Sequence, residues 1–154
     1  MTECAPAAGP VGIVVSRFNE SVTARLLAGA RACLRERGVA DAGVEVHWVA
    51  GAWELPVVVR GLLAQGPWRA MVALGAVVRG ETPHFEYVAG EAARGLMAVQ
   101  VETGVPVGFG VLTCDTMEQA LARAGGAAGN KGYDAAAAAL DAADLLARRR
   151  AGPR

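Results

Sequence analysis

Residues 75–85, GAVVRGETPHF, contain the clearest boundary between a strand and a helix in this chain. An apolar run over residues 70–78 stops here, and polar residues follow it. Such a run predicts a buried strand of a parallel sheet. Residues 79–81, RGE, then predict a tight turn. Thr82 followed by Pro83 predicts a helix start, in which a hydroxyl caps the first turn and proline takes the first helical position.

The same alternation of strand and helix runs along most of the chain. Apolar segments predict strands at residues 11–16, 44–50, 70–78 and 107–113. Helical periodicity predicts helices at residues 20–37, 54–64, 83–103, 117–124 and 133–149. Asn19 stands where it can cap the first of these helices. The pattern predicts an α/β fold, a three-layer αβα sandwich with a four-stranded parallel sheet.

Composition narrows the class of protein. The 154 residues fit one domain over residues 11–150, which follows an irregular tail at residues 1–10. The formal net charge is zero and no segment forms a basic stripe, so nucleic acid is not an expected partner. No apolar run of spanning length and no secretory signal is visible, so we expect no membrane partner and a cytoplasmic location. Cys4, Cys33 and Cys114 fit no metal pattern and are expected to act as small buried hydrophobes.

His84 is the first candidate for chemistry. It falls in the first turn of a predicted helix, at the carboxyl end of a predicted strand, where open α/β sheets bind ligands. The helix N-terminus offers unpaired N–H groups and a positive dipole end, which suit an anion such as phosphate. A histidine can also move protons near neutral pH. Position alone leaves a catalytic and a structural role of His84 equally open, whereas His47, in mid-strand, favours a solvated or hydrogen-bonded role.

Four other residues have a functional interpretation beside a structural one. Glu54 follows a predicted strand, where it can complement a helix dipole or accept hydrogen bonds from sugar hydroxyls. Phe18 either packs into the core or stacks on a planar ligand. Arg123 is either a charge at a helix end or a fork for phosphate. Lys131 is the only lysine among fifteen basic residues, which indicates a specific use without proving one.

Residues 79–87, RGETPHFEY, resemble the RG-x-T-x-H-[FY]-[DE]-Y signature of the lumazine synthase (6,7-dimethyl-8-ribityllumazine synthase) family. Other blocks agree with the family in order and spacing: SRFN at 16–19, GAWELP at 51–56, GFGVLT at 108–113, EQA at 118–120, RAG at 123–125 and GNKG at 129–132. The blocks cover about residues 11–147. The resemblance implies a flavodoxin-like fold.

The resemblance also implies roles for single residues. His84 would transfer protons, Phe18 would stack on a pyrimidine ring and Glu54 would hold a ribityl chain. The other residues that would bind the pyrimidine and its ribityl chain are Ala52, Trp53, Ala76, Val77, Val78, Phe109 and Lys131. Trp53 stands where the family more often has phenylalanine or isoleucine. The phosphate would be held by the N–H groups of Gly80, Glu81 and Thr82 and by Arg123.

The reaction implied by the resemblance condenses 5-amino-6-(ribitylamino)uracil with 3,4-dihydroxy-2-butanone 4-phosphate. Its products are 6,7-dimethyl-8-ribityllumazine, phosphate and water, at the penultimate step of riboflavin biosynthesis. Neither a cofactor nor a metal is implied. Two alternatives stay open: a non-catalytic flavin- or lumazine-binding paralogue, which would need neither His84 nor Arg123, and a shell-forming paralogue, which would need only the interfaces.

The resemblance further implies that the chain assembles with itself. The expected unit is a pentamer with shared active sites, in which Phe109 and Arg123 act in the neighbour's site, and pentamers would form a 60-subunit icosahedral shell. Riboflavin synthase is a further implied partner. Residues 125–132, GGAAGNKG, carry no insertion that would block contacts between pentamers, which favours the shell. Pro6 and Pro10 argue the other way, because proline hinders the strand that relatives add to the adjacent sheet from this region, but we give the loop more weight.

Overall fold

The structure is a computed structural model that describes residues 9–152. The predicted irregular tail, with Cys4 and Pro6, therefore lies outside the described residues except for Gly9 and Pro10. No helix among the described residues is long and apolar enough to cross a membrane.

Strands and helices alternate along the described chain. The strands are β1 (Val11–Ser16), β2 (Val44–Val49), β3 (Ala70–Val78), β4 (Val107–Cys114), β5 (Ala124–Gly126) and β6 (Gly129–Asn130). The helices are α1 (Glu20–Glu36), α2 (Leu55–Leu63), α3 (His84–Thr103), α4 (Met117–Ala122) and α5 (Lys131–Arg150). Short 3₁₀ turns at Asp41–Gly43 and Ala52–Glu54 precede β2 and α2.

The first four strands form one parallel sheet in the order β2-β1-β3-β4. One core lies between this sheet and helices α1 and α5, and a second core lies on the opposite face against α2 and α3. The predicted three-layer αβα sandwich with a four-stranded parallel sheet is therefore confirmed. Strand β1 is buried along its whole length and β3 in its first seven residues, because helices cover both faces of the sheet.

Two predicted helix caps are wrong. Asn19 is the residue before α1, but its backbone is left-handed (φ 58°) and its side chain caps nothing. Its Nδ2 instead donates to the carbonyl oxygen of Ala76 at 2.9 Å, which ties the β1–α1 loop to β3. Helix α3 starts one residue later than predicted, with Pro83 as its N-cap, and no side chain caps it. The Thr82 hydroxyl oxygen lies 3.5 Å from the backbone nitrogen of His84, which is too far for a strong hydrogen bond.

The region between α4 and α5 also differs from the prediction. Helix α4 ends at Ala122, and the chain then forms the short antiparallel pair β5–β6, which the glycine-rich sequence did not reveal. Helix α5 begins two residues before the predicted Tyr133, because the Asn130 side chain caps it by accepting from the nitrogens of Gly132 and Tyr133. Asn130 Nδ2 also donates to the Arg25 carbonyl at 3.0 Å, so this cap fastens α5 to α1.

Candidate active site

A cleft of about 480 Å³ opens at the carboxyl ends of β1, β2 and β3. From β1 the chain first crosses to β2 on one side and then returns to β3 on the other, so the direction of winding reverses between β1 and β3. Ligands of open α/β sheets bind at such a reversal point. The fold itself therefore marks this cleft as the candidate site.

The cleft brings together most of the residues predicted for the site. Ten of them line it: Phe18, Ala52, Trp53, Glu54, Ala76, Val77, Val78, Gly80, Thr82 and His84. Glu81 belongs to the same β3–α3 turn but does not line the cleft. Phe109, Arg123 and Lys131 do not line it either, so within one chain they lie apart from His84.

Two exposed aromatic rings flank the mouth of the cleft. The Phe18 side chain is 71% exposed and the Trp53 side chain 59% exposed, which is unusual for rings of this size. Hydrogen bonds from the Arg17 nitrogen to the Val49 carbonyl (2.8 Å) and from the Phe18 nitrogen to the Ala50 carbonyl (3.0 Å) extend the pairing of β1 and β2 past the strands. The backbone beneath Phe18 is therefore fixed, and its ring is free to stack on a planar ligand.

Glu54 ends the 3₁₀ turn before α2, and its carboxylate faces the cleft. Its Oε2 atom is buried and accepts a hydrogen bond from none of the described residues. The side chain also caps no N–H group of α2. A buried carboxylate oxygen without a donor is unfavourable until a donor arrives, so the geometry favours a bound hydroxyl over simple complementation of the helix dipole.

His84 is the first residue of α3, and its side chain is exposed at the cleft. The backbone nitrogens of Gly80, Glu81 and Thr82 precede it and donate to no described protein atom. Together with the N-terminus of a 20-residue helix, these N–H groups form a turn suited to a phosphate. A proton-transfer group and an anion-binding turn therefore share one wall of the cleft. The carbonyl oxygen of Ala76, one of the residues predicted to bind the pyrimidine and its ribityl chain, accepts a hydrogen bond from Asn19.

Phe85 also lines this wall, and Arg79, which does not line the cleft, contacts the Phe85 ring; the sequence singled out neither residue. The Arg79 Nε donates to Asp115 Oδ1 at 2.8 Å, and its Nη1 lies 3.6 Å from Glu86 Oε1. The guanidinium carbon lies 4.5 Å from the centre of the Phe85 ring. The hydrogen bond to Asp115 raises the pKa of Arg79, which stays charged. Asp115 is 36 residues away in sequence, so only the pairing of β3 with β4 could reveal this contact.

Phe109 lies in a second depression, of about 510 Å³, on the other side of Phe85. Its side chain is 48% exposed, although it comes from the middle of β4. Arg123, the C-cap of α4, donates from its Nη1 to the Gln119 carbonyl oxygen at 3.0 Å. Lys131 Nζ lies 3.4 Å from Asp134 Oδ2 on the exposed first turn of α5. Each of these three side chains faces solvent and has no part in the cleft of its own chain.

The two described cysteines take no part in the site. Cys33 and Cys114 are buried and unpaired. Burial raises the pKa of both thiols, so they remain neutral and pack as small hydrophobes, as predicted.

Fold and site together define an α/β protein whose cleft is suited to a planar, hydroxylated ligand and to an anion beside a histidine. The family model for 6,7-dimethyl-8-ribityllumazine synthase matches residues 9–147. A 6,7-dimethyl-8-ribityllumazine synthase from Gemmatimonas aurantiaca is 57% identical over 136 residues, which cover 88% of this chain and 83% of that protein. The chain belongs to the 6,7-dimethyl-8-ribityllumazine synthase family, and the resemblance stated from its motifs is confirmed.

Proposed function

We propose that each active site is built from the cleft of one chain and basic side chains of the next. As a member of its family, the chain is a transferase that makes 6,7-dimethyl-8-ribityllumazine from 5-amino-6-(ribitylamino)uracil and 3,4-dihydroxy-2-butanone 4-phosphate, with release of phosphate and water. One observation carries the shared site: none of the residues that line the cleft is an arginine or a lysine. An enzyme that binds and releases phosphate is expected to use such a side chain.

The cleft supplies the binding part of the proposed site. Phe18 stacks on the pyrimidine, and the buried Glu54 oxygen accepts from ribityl hydroxyls. Main-chain groups of residues 76–78 and of Ala52 and Trp53 complete the pyrimidine pocket. Holding two substrates in register in this way removes much of the entropic barrier to their reaction.

The β3–α3 turn supplies the chemical part. The amine and the ketone join as an imine with loss of one water, phosphate is eliminated, and the ring closes on the second carbonyl with loss of a second water. Each step moves protons, which His84 relays at the edge of the cleft. The N–H groups of Gly80, Glu81 and Thr82 hold the phosphate, and Arg123 of a neighbouring copy neutralises its charge as it leaves. Phe109 and Lys131 of the same neighbouring copy are proposed to complete the pyrimidine pocket.

The shared site is tested by mixing two defective subunits, His84→Ala and Arg123→Ala, in equal amounts by co-expression. Each variant alone has no site with both residues intact. In a random ring, about one site in four regains both, because half the chains offer His84 and half their neighbours offer Arg123. We therefore expect activity near a quarter of the unsubstituted level, measured by lumazine fluorescence.

The control for this experiment mixes His84→Ala with the double variant His84→Ala/Arg123→Ala. No chain in that mixture carries His84, so no activity returns. If the first mixture shows no more activity than its two components, each chain forms its site alone and the proposal is wrong.

The proposed assembly is a pentamer, and pentamers in turn form an icosahedral shell. A head-to-tail ring is the arrangement in which one surface of each copy can complete the next site. The turn between α4 and α5 is compact: the Ala128 nitrogen donates to the Ala122 carbonyl and the Lys131 nitrogen to the Arg123 carbonyl, both at 2.9 Å. No inserted residue projects from it to separate pentamers. Riboflavin synthase as a partner rests on the resemblance alone.

We expect light scattering of the purified protein, in phosphate buffer at neutral pH, to show a particle of about 0.9 MDa, which is 60 copies of a 15.8 kDa chain. The reason is the short turn at residues 125–132, which leaves the surface between pentamers open. A particle of about 80 kDa under these conditions would agree with the proposed pentamer but contradict the proposed shell.

A further inference from the structure

The helix that carries His84 begins without the usual side-chain cap. Pro83 is its N-cap and makes no side-chain capping hydrogen bond, and the Thr82 hydroxyl accepts from the His84 backbone nitrogen only at a long 3.5 Å. The first turn of a helix that lacks a cap frays more readily than the rest. His84 lies in that turn, so something else must fix its position.

Arg79 makes four contacts at this point. Its backbone nitrogen donates to the Cys114 carbonyl at 2.8 Å, which continues the pairing of β3 with β4 beyond the strand. Its guanidinium binds Asp115 and lies within 3.6 Å of Glu86 in the first turn of α3. The same guanidinium stacks on Phe85, the residue after His84. One side chain therefore connects the end of β4 to both residues that follow His84.

Asp115 is itself held in place. Its backbone nitrogen donates to Gln119 Oε1 at 2.8 Å, and Gln119 is part of the capping box that Thr116 forms at the start of α4. The carboxylate that binds Arg79 therefore belongs to a well-anchored turn. Phe85, at the other end of the contact, lines both the cleft and the depression that contains Phe109. The Phe85 ring therefore separates the cleft from the depression, and the Arg79 guanidinium stacks on this ring.

We propose that Arg79 is a positioning residue, which holds the first turn of α3, and through it His84 and Phe85, against the anchored turn after β4. The inference rests on the proposed role of His84 as the proton-transfer residue. The planar guanidinium can bind a carboxylate through its nitrogens and stack on a ring at the same time. A lysine can supply the charge but neither the fork nor the stacking face. Substitution by lysine therefore separates positioning from charge.

The test compares Arg79→Lys with the matched control Arg37→Lys. Arg37 binds Asp141 at the same 2.8 Å, with similarly exposed side chains (35% and 69%, against 45% and 65% for Arg79 and Asp115), but far from the cleft. We expect Arg79→Lys to lower kcat about tenfold with the KM of the pyrimidine changed less than twofold, because misplacement of a reacting group acts on the chemical step. Arg37→Lys should leave both constants unchanged. Asp115→Asn, which keeps Arg79, should reproduce the loss if Arg79→Lys does not assemble.

A second measurement repeats Arg79→Lys in the His84→Ala background. If Arg79 acts through His84, the substitution costs no further activity there, because there is no imidazole left to position. An equal tenfold loss in both backgrounds, or a kcat for Arg79→Lys equal to that of Arg37→Lys, would overturn the inference. Failure of the proposed function is a separate result, since it would appear as full activity of His84→Ala itself.

Discussion

His84→Ala is expected to lower kcat about a hundredfold while the affinity for the pyrimidine substrate changes less than twofold. Proton transfer by a positioned side chain contributes about 10²–10⁴ to a rate, and we expect the lower end because the cleft still holds both substrates in register. In the proposed site the pyrimidine is bound by Phe18 and Glu54, which reach the cleft from elements other than α3. Steady-state kinetics gives the first quantity, and equilibrium titration with the pyrimidine gives the second.

The matched control is His47→Ala, since His47 is the only other histidine of the chain. It lies on the edge strand β2, where its Nε2 is 3.3 Å from Glu45 Oε2, and it does not line the cleft. Its loss should leave kcat and affinity unchanged. Equal activity of the two variants would remove His84 from the mechanism, and a parallel loss of pyrimidine affinity in His84→Ala would make it a binding residue.

The sequence predicted the sheet well because its central strands are buried on both faces. Residues 11–16 and 70–78 are continuous apolar runs, and β1 and β3 have these bounds. Most of the cleft was predictable for a related reason. Phe18, Glu54 and His84 lie two to six residues after the ends of predicted strands, and parallel strands bring their carboxyl ends to one edge of the sheet.

Contacts between distant segments were not predictable from local pattern. Asparagine is a common helix-capping residue, and Asn19 directly precedes α1. Its left-handed backbone turns the side chain away from the helix, so that it donates to the Ala76 carbonyl, 57 residues away in sequence. The contact of Arg79 with Asp115 depends in the same way on the register of β3 against β4. The proposed roles of Arg123 and of the other residues outside the cleft depend on contacts with a second chain. The sequence pattern of one chain does not predict the geometry of those contacts.

Gly132→Ala is expected to destabilise the protein by about 3 kcal/mol, the upper range for overpacking a core. Gly132 is buried where α5 starts against α1, and an added Cβ would overlap the Leu26 carbonyl oxygen and stand 2.9 Å from Leu26 Cα. Neither neighbour can rotate away, because both are backbone atoms of a helix. Helix propensity alone predicts the opposite sign, a gain of up to about 1 kcal/mol, but the steric overlap is the larger effect. The thermal midpoint should fall by about 10 °C at fixed protein concentration.

Gly61→Ala is the matched control, because Gly61 also lies within a helix, α2, and an added Cβ there meets no atom within 4 Å. The same change should raise stability by about 0.5–1 kcal/mol, since alanine restricts the unfolded chain more than glycine does. The two substitutions thus add the same atom and are expected to shift the midpoint in opposite directions. If Gly132→Ala raises the thermal midpoint as Gly61→Ala does, helices α1 and α5 do not approach as closely as the contact of Gly132 with the Leu26 backbone indicates.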